Sequence, residues 1–127
     1  MPHTVHTSDL SIVIENPKGS YKSFEIDNDP VWEKYPLKGV TYPVDYGYIE
    51  GYQSEDKHDL DVFVGSGTLY GYMKVWRCDV PIETKVLLEV SQEELDAIVK
   101  EFAPVIKEKG TFTTLEEFKI FLNNYTS

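Results

Sequence analysis

From Tyr46 onward the chain carries four short β-type segments at close spacing. "YGYIEGY" (46–52), "LDVFVG" (60–65), "LYGYMKVWRC" (69–78) and "TKVLLEV" (84–90) are short runs of β-branched and aromatic residues, set apart by turn-forming residues. Many short runs at this spacing predict strands wrapped into a barrel or sandwich. Two earlier runs, "LSIVIE" (10–15) and "YKSFEID" (21–27), flank "NPKGS", whose Pro and Gly predict a turn and hence a hairpin. The Pro-punctuated "NDPVWEKYPLK", from Asn28 to Lys38, reads as a surface loop.

The period changes after Val90. Ser91 followed by Glu94 is a capping box, and Leu95, Ile98, Val99, Phe102 and Ile106 then recur at helical spacing. Pro104 is expected to kink this helix and Gly110 to end it. A second helix is expected after the two threonines at 113–114, with Leu115, Phe118, Leu122 and Tyr125 on one face. The expected fold class is therefore α+β. It comprises a small closed or partly closed β barrel, OB-like with a five-stranded core, over about residues 10–90, and helices over about 91–125 packed on it. With 127 residues, a single domain spanning 1–127 is expected.

Composition narrows the function classes. A net charge of −10, from 22 acids against 12 Lys plus Arg, argues against a surface that wraps nucleic acid and suits divalent cations or basic partners. Nine tyrosines suggest strand and core residues more than a stacking platform, which needs a basic groove. No apolar run approaches the roughly 20 residues of a membrane span, so no membrane partner is expected. The start "MPHTVHTSDL" lacks a secretory pattern, and Cys78 has no second cysteine to pair with, so a cytoplasmic location is expected.

Chemistry concentrates in two stretches. In "DKHDLDV" (56–62) three aspartates and a histidine fall together, and like charges this close repel unless a cation or strong hydrogen bonds compensate. Strand alternation sends Leu60, Val62 and Val64 to one face and Asp61 and Phe63 to the other. Asp56, His58 and Asp59 then lie in the approach loop, able to converge near Asp61 as a site for a hard cation. Read from spacing alone, a solvated acidic turn is an equal alternative. The second stretch, "GVTYPVDYGYIEGY" (39–52), offers Tyr42 and Tyr46 hydroxyls for phosphate oxygens and Gly47 for close backbone approach.

"IVIENPKGSYKSFEID", "YPVDYGYI", the acidic loop running into "DVFV", and "ETKVLLEV" follow one another in the order of a known family. Over about residues 10–90 the chain resembles the soluble, Mg²⁺-dependent inorganic pyrophosphatases of the five-stranded barrel type, as a shortened and divergent member. The resemblance implies an acidic cavity where Mg²⁺ bridges a diphosphate and activates a water. Carried over by position, Asp56 and Asp61 would be metal ligands, with Glu83 as a further metal-binding acid. Tyr46 and Lys85 would bind phosphate, Glu15 and Glu25 would line the cavity, and Lys34 would stand where the family has an arginine.

The chain departs from the pattern at several points. His58 occupies the place of the family's proton-accepting acid; as catalytic base beside Asp61 it would tilt the site toward Mn²⁺ or Zn²⁺, and Asp59 would supply the missing carboxylate. Ser23 stands where the family has a lysine, and on a strand the neighbouring Lys22 is expected to face the other way. Asp79 is the one acid near a missing metal ligand. Lys107 and Lys109 do not match the family's C-terminal Tyr-Lys pair.

Other residues have plainer readings. His3 and His6 read as part of a loose terminus, Cys78 as a buried strand residue, Trp32 and Trp76 as packing anchors, and "GSGT" (65–68) as a tight turn. The expected function is metal-dependent hydrolysis of inorganic diphosphate or a small phosphoanhydride. The alternatives are a degenerate relative that binds a phosphate ligand or protein partner, and a purely structural role. Homo-oligomer formation is compatible with either.

Overall fold

The computed structural model describes residues 2–25, 34–77 and 82–127. Trp32, Cys78, Asp79 and the first part of the 28–38 loop lie outside those residues. The strands are β1 (His3–Thr7), β2 (Leu10–Asn16), β3 (Tyr21–Ser23), β4 (Gly39–Thr41), β5 (Asp45–Gln53), β6 (Asp59–Val64), β7 (Leu69–Val75), β8 (Glu83–Val90) and β9 (Ile106–Phe112). Two helices follow the barrel-type strands, α1 (Gln92–Phe102) and α2 (Leu115–Leu122). The fold is thus mostly sheet with two C-terminal helices. No helix among the described residues is long and apolar enough to cross a membrane.

Seven strands form one sheet in the order β1-β2-β5-β6-β8-β7-β9, and β3 pairs with β4 separately. The ladder is antiparallel except where β6 meets β8, with Asp61 opposite Lys85. That register sets an acid beside a base on one face. Of the closed or partly closed five-stranded barrel expected from the sequence, the closed form is not what the ladder shows, because among the described residues β1 and β9 are the edges of a seven-stranded sheet.

The sheet nevertheless curls. Val5 of β1 and Phe112 of β9, from opposite edges, pack on one apolar cluster with Phe118 and Leu122 of α2. Lys119 of α2 reaches Asp9 at 3.1 Å, and Tyr52 bridges to Thr126. The helix therefore fills the gap that ladder hydrogen bonds would have closed.

Alternation divides the core as the sequence implies. Leu60 and Val62 face the α2 side with Ile12, Ile14, Ile49, Val86 and Leu88. Phe63 faces the α1 side with Tyr42, Tyr46, Val75, Leu87, Ile98 and Phe102. Glu89 adopts a φ of 54°, which interrupts the alternation of β8 and turns Val90 to the α1 side.

Three expectations fail for local reasons. Among the described residues the 10–15 and 21–27 runs make no hairpin: β2 lies between β1 and β5, while β3 crosses to β4 with Lys22 opposite Val40. The "HTVHT" segment is no loose terminus but an edge strand, with Val5 opposite Ile12. The first helix ends at Phe102 instead of Gly110. Pro104 has no N–H to continue it, a 3₁₀ turn follows, and Ile106–Phe112 extends against β7. The capping box at Ser91 and Glu94 forms as read, and Thr114 caps α2 through the Glu117 N–H.

Candidate functional site

Strand pairing brings a set of ionisable side chains to one end of the α1-side core. Gly47 makes this possible on β5, since any side chain there would meet the Val13 carbonyl oxygen at 1.8 Å. The close β2–β5 approach seats the neighbouring Tyr46 inward, its ring stacked on Tyr42 at 4.4 Å with 15° between planes. From β6 and β8, Asp61, Glu83 and Lys85 point to the same place.

These groups bond to one another. The Tyr46 hydroxyl donates to Asp61 Oδ2 at 2.5 Å. Lys85 Nζ donates to the Tyr46 oxygen at 2.6 Å, to Asp61 Oδ2 at 2.9 Å and to Glu83 Oε1 at 3.2 Å. Arg77 extends the network, with NH1 3.1 Å from Asp56 Oδ2 and 3.5 Å from Glu83 Oε2. Each inner carboxylate thus has a cation of the chain itself beside it, as buried charges require.

The electrostatics follow from burial and these pairings. Burial alone would raise the Asp61 pKa, but the Lys85 ammonium and hydrogen bonds hold it below the usual carboxylate value. Burial pushes the Glu83 carboxyl up, aided by the Asp61 charge and against the pull of Lys85. Burial would depress Lys85, yet Asp61, Tyr46 and Glu83 keep its ammonium well above the ordinary lysine value. The Tyr46 phenol is raised well above its usual value by burial and by Asp61, and burial pushes Tyr42 to about 12. Both phenols are therefore hydrogen-bond donors at neutral pH.

A cavity of about 280 Å³ opens onto this cluster. Of the residues selected from the sequence, Glu15, Tyr42, Tyr46, Asp61, Glu83 and Lys85 line it. Asp56 reaches it through Arg77. The approach loop does not converge on Asp61: Asp56 accepts the His58 backbone N–H at 2.9 Å, and the His58 and Asp59 side chains are exposed outside the cavity wall. Glu25 and Lys34 are exposed and lie outside that wall too, and Lys109 faces a separate groove beside α1.

Three contributors escaped the sequence. Lys22 lines the cavity together with Ser23, because β3 is only three exposed residues at the lip and both of its faces meet the opening. Arg77, the chain's single arginine, carried no motif; its uniqueness among lysines was the available signal. The third is a clamp behind β8. Glu55 accepts from the Thr84 hydroxyl at 2.7 Å, the Thr84 N–H at 3.0 Å and the Ser54 hydroxyl at 2.8 Å. This pins the acidic loop to the residue between Glu83 and Lys85.

A divalent cation tests the donor set. Among the described residues no group of three or more His, Cys, Asp or Glu stands placed to hold a metal ion. Asp61 and Glu83 do adjoin, each perturbing the other's proton affinity. Two carboxylates suffice for Mg²⁺ when substrate oxygens and waters complete its shell. The set therefore fits Mg²⁺ in that mode and does not fit an all-protein cage. With His58 outside the wall, the described donors are oxygens, which gives Mn²⁺ or Zn²⁺ no advantage here.

A family model described as inorganic pyrophosphatase matches residues 2–100. The inorganic pyrophosphatase of Corynebacterium glutamicum is 36% identical over 58 residues, covering 43% of this chain and 37% of that protein. That of Gluconobacter oxydans is 33% identical over 60 residues, covering 45% and 35%. That of Aquifex pyrophilus is 31% identical over 101 residues, covering 69% and 56%. The chain thus spans between about a third and just over half of these relatives' length. No solved structure matches it significantly.

Proposed function

The chain belongs to the inorganic pyrophosphatase family, and on that premise we propose that it hydrolyses diphosphate to two phosphates with Mg²⁺ at the Asp61–Glu83 end of the cavity. The curled sheet serves as the family's partly closed barrel in this reading. The observation that carries it is the contact of Tyr46, Asp61, Glu83 and Lys85 through hydrogen bonds of 2.5 to 3.2 Å at the cavity wall.

Each residue then has a task set by its chemistry. Lys85 stays charged through neutral pH and turns from the carboxylates to a phosphoryl oxygen when substrate enters. Tyr46 keeps its proton and donates to a second oxygen. Lys22, at the lip, and Arg77, beside Glu83, hold the other phosphoryl group, and Arg77 is steadied by Asp56. Asp61, with Glu83 beside it, would hold the cation, which when bound would supply a lower pKa for a water and charge neutralisation at the leaving phosphate. Glu83, its carboxyl raised by burial in the metal-free cavity, accepts the proton in this reading only when the cation sits on Asp61 and leaves Glu83 unligated. His58 takes that role only if its turn swings inward, so Glu83→Gln and His58→Ala separate the two.

A second reading has its own support. Lys85 and Arg77 already neutralise the inner carboxylates, which suits a relative that binds a phosphate ligand without turning it over. Phosphate release from diphosphate, followed with Mg²⁺, Mn²⁺ and Zn²⁺ in turn, decides between them. Metal-dependent turnover that drops by about a thousandfold in Asp61→Ala is the expected result. Binding of diphosphate with no release under any metal supports the second reading.

A further inference from the structure

Half of the cavity has no evident use for inorganic diphosphate. Beside the cations Lys22, Arg77 and Lys85, its described wall includes the half-buried ring of Phe24 and the edges of the otherwise buried rings of Tyr35 and Phe102. These rings are packed against their neighbours. Phe24, half-buried, meets Tyr35 edge-on at 5.7 Å and 86°, its N–H bonded to the Lys38 carbonyl at 2.9 Å. Tyr35 donates its hydroxyl to the Trp76 carbonyl at 3.0 Å. Phe102 lies 5.9 Å from Lys85 Nζ, so the ammonium that meets a phosphoryl oxygen adjoins an apolar ring.

A free diphosphate presents charged oxygens on all sides. Set against such a wall, the oxygens facing the rings lose water and gain no hydrogen bond, which costs binding energy. The charge balance points the same way. Lys22, Arg77 and Lys85 are matched by Glu15, Asp61 and Glu83, so apart from a bound cation the described wall has no excess of positive charge, which favours a diphosphate that carries one ionisable oxygen fewer. A ligand with an anionic head and an apolar group fits both halves. The volume, about 280 Å³, approaches the lower end of small-molecule sites, roughly 300 Å³.

We propose that the preferred substrate is the diphosphate monoester of a small apolar alcohol, its phosphoryl groups on Lys22, Arg77 and Lys85 and its organic group on Phe24, Tyr35 and Phe102. This rests on the phosphoanhydride hydrolase reading above. In the step, water attacks the terminal phosphorus and the P–O bond of the anhydride breaks. The bridging oxygen leaves with its electron pair on the organic monophosphate, and the water's proton passes to a cavity base and on to solvent. The products are the organic monophosphate and inorganic phosphate.

The test compares kcat/KM for isopentenyl diphosphate and phenyl diphosphate with that for inorganic diphosphate, under Mg²⁺. The wild-type protein is expected to favour one of the organic substrates by about tenfold or more, the usual worth of a filled apolar pocket. Phe24→Asn should cut that ratio at least about fivefold, while Phe24→Leu, which keeps an apolar side chain, holds it within about twofold. A preference for inorganic diphosphate, or a ratio that Phe24→Asn leaves unchanged, overturns this inference and leaves the hydrolase reading standing. Failure to hydrolyse any of the three substrates overturns the hydrolase reading, and this inference falls with it.

Discussion

The two sides of the curled sheet are built by the same alternation and put to different use. On the α2 side, Ile12, Ile49, Leu60, Val62, Val86, Leu88 and Phe118 are fully buried, and the edges of the sheet are sealed by the helix and its aromatic rings. On the α1 side, a comparable apolar core around Phe63 and Phe102 is left open at one end, where Asp61, Glu83 and Lys85 replace apolar residues on the same strands. A sealed side stabilises; an open side accepts buried charge at a cost and can bind. Within β8 the contrast is visible from one residue to the next, since Glu83 and Lys85 face the cavity while Thr84 faces the clamp with Glu55 and Tyr125.

This contrast predicts different penalties. The largest loss of stability is expected for Phe118→Ala, about 3–5 kcal/mol by denaturant unfolding, from the cavity it leaves in the sealed side. Activity per folded molecule should survive it. Lys85→Met should cost less, about 1–3 kcal/mol, because half-buried Asp61 loses its cation while Glu83 keeps only Arg77, and it should also abolish activity. A Lys85→Met protein with unchanged stability would mean that water already compensates those carboxylates.

The pH dependence sharpens the comparison. The folded pKa of Asp61 is lowered, so its stabilisation is present above its unfolded pKa and is lost as pH falls through the folded value. That of Glu83 is raised, so its contribution has the opposite sense, fully present below about 4.5 and lost as pH rises through the folded value. The stability of Glu83→Gln relative to wild type should therefore improve as pH rises from 4 toward 7. A pH-independent difference in unfolding free energy would show that Glu83 keeps its ordinary pKa. The smallest effect is expected for Ser91→Ala, about 1 kcal/mol from the lost cap of α1, with no change in substrate binding by calorimetry.

Sequence reading worked where one period ruled. The strands at 46–52, 60–65 and 84–90 were legible because alternation decides burial on both faces, and Ser91 and Thr114 were legible as caps. It failed where long-range pairing ruled. Ile106 sat at helical spacing by coincidence, and Pro104 handed it to β9. "HTVHT" has too little pattern to announce itself, and becomes a strand only because β2 offers an edge. The hairpin failed because the partner of β3 is 18 residues away, from Lys22 to Val40.

The site divided in the same way. Tyr46, Asp61, Glu83 and Lys85 share a cavity because adjacent strands carry them in register. The loop residues Asp56, His58 and Asp59 were close in sequence, yet Asp56 turned to Arg77, a residue 21 positions away that no local pattern marked. Charge proximity along a loop does not fix direction; strand register does.

The most direct test of this division is phosphate release from diphosphate under Mg²⁺, measured side by side for wild type, Lys85→Met and Phe118→Leu and normalised to folded protein. The expected result is that Phe118→Leu keeps its rate within about twofold while Lys85→Met loses about a thousandfold or more. Equal rates in Lys85→Met and wild type would contradict the assignment of the open side as the site of hydrolysis.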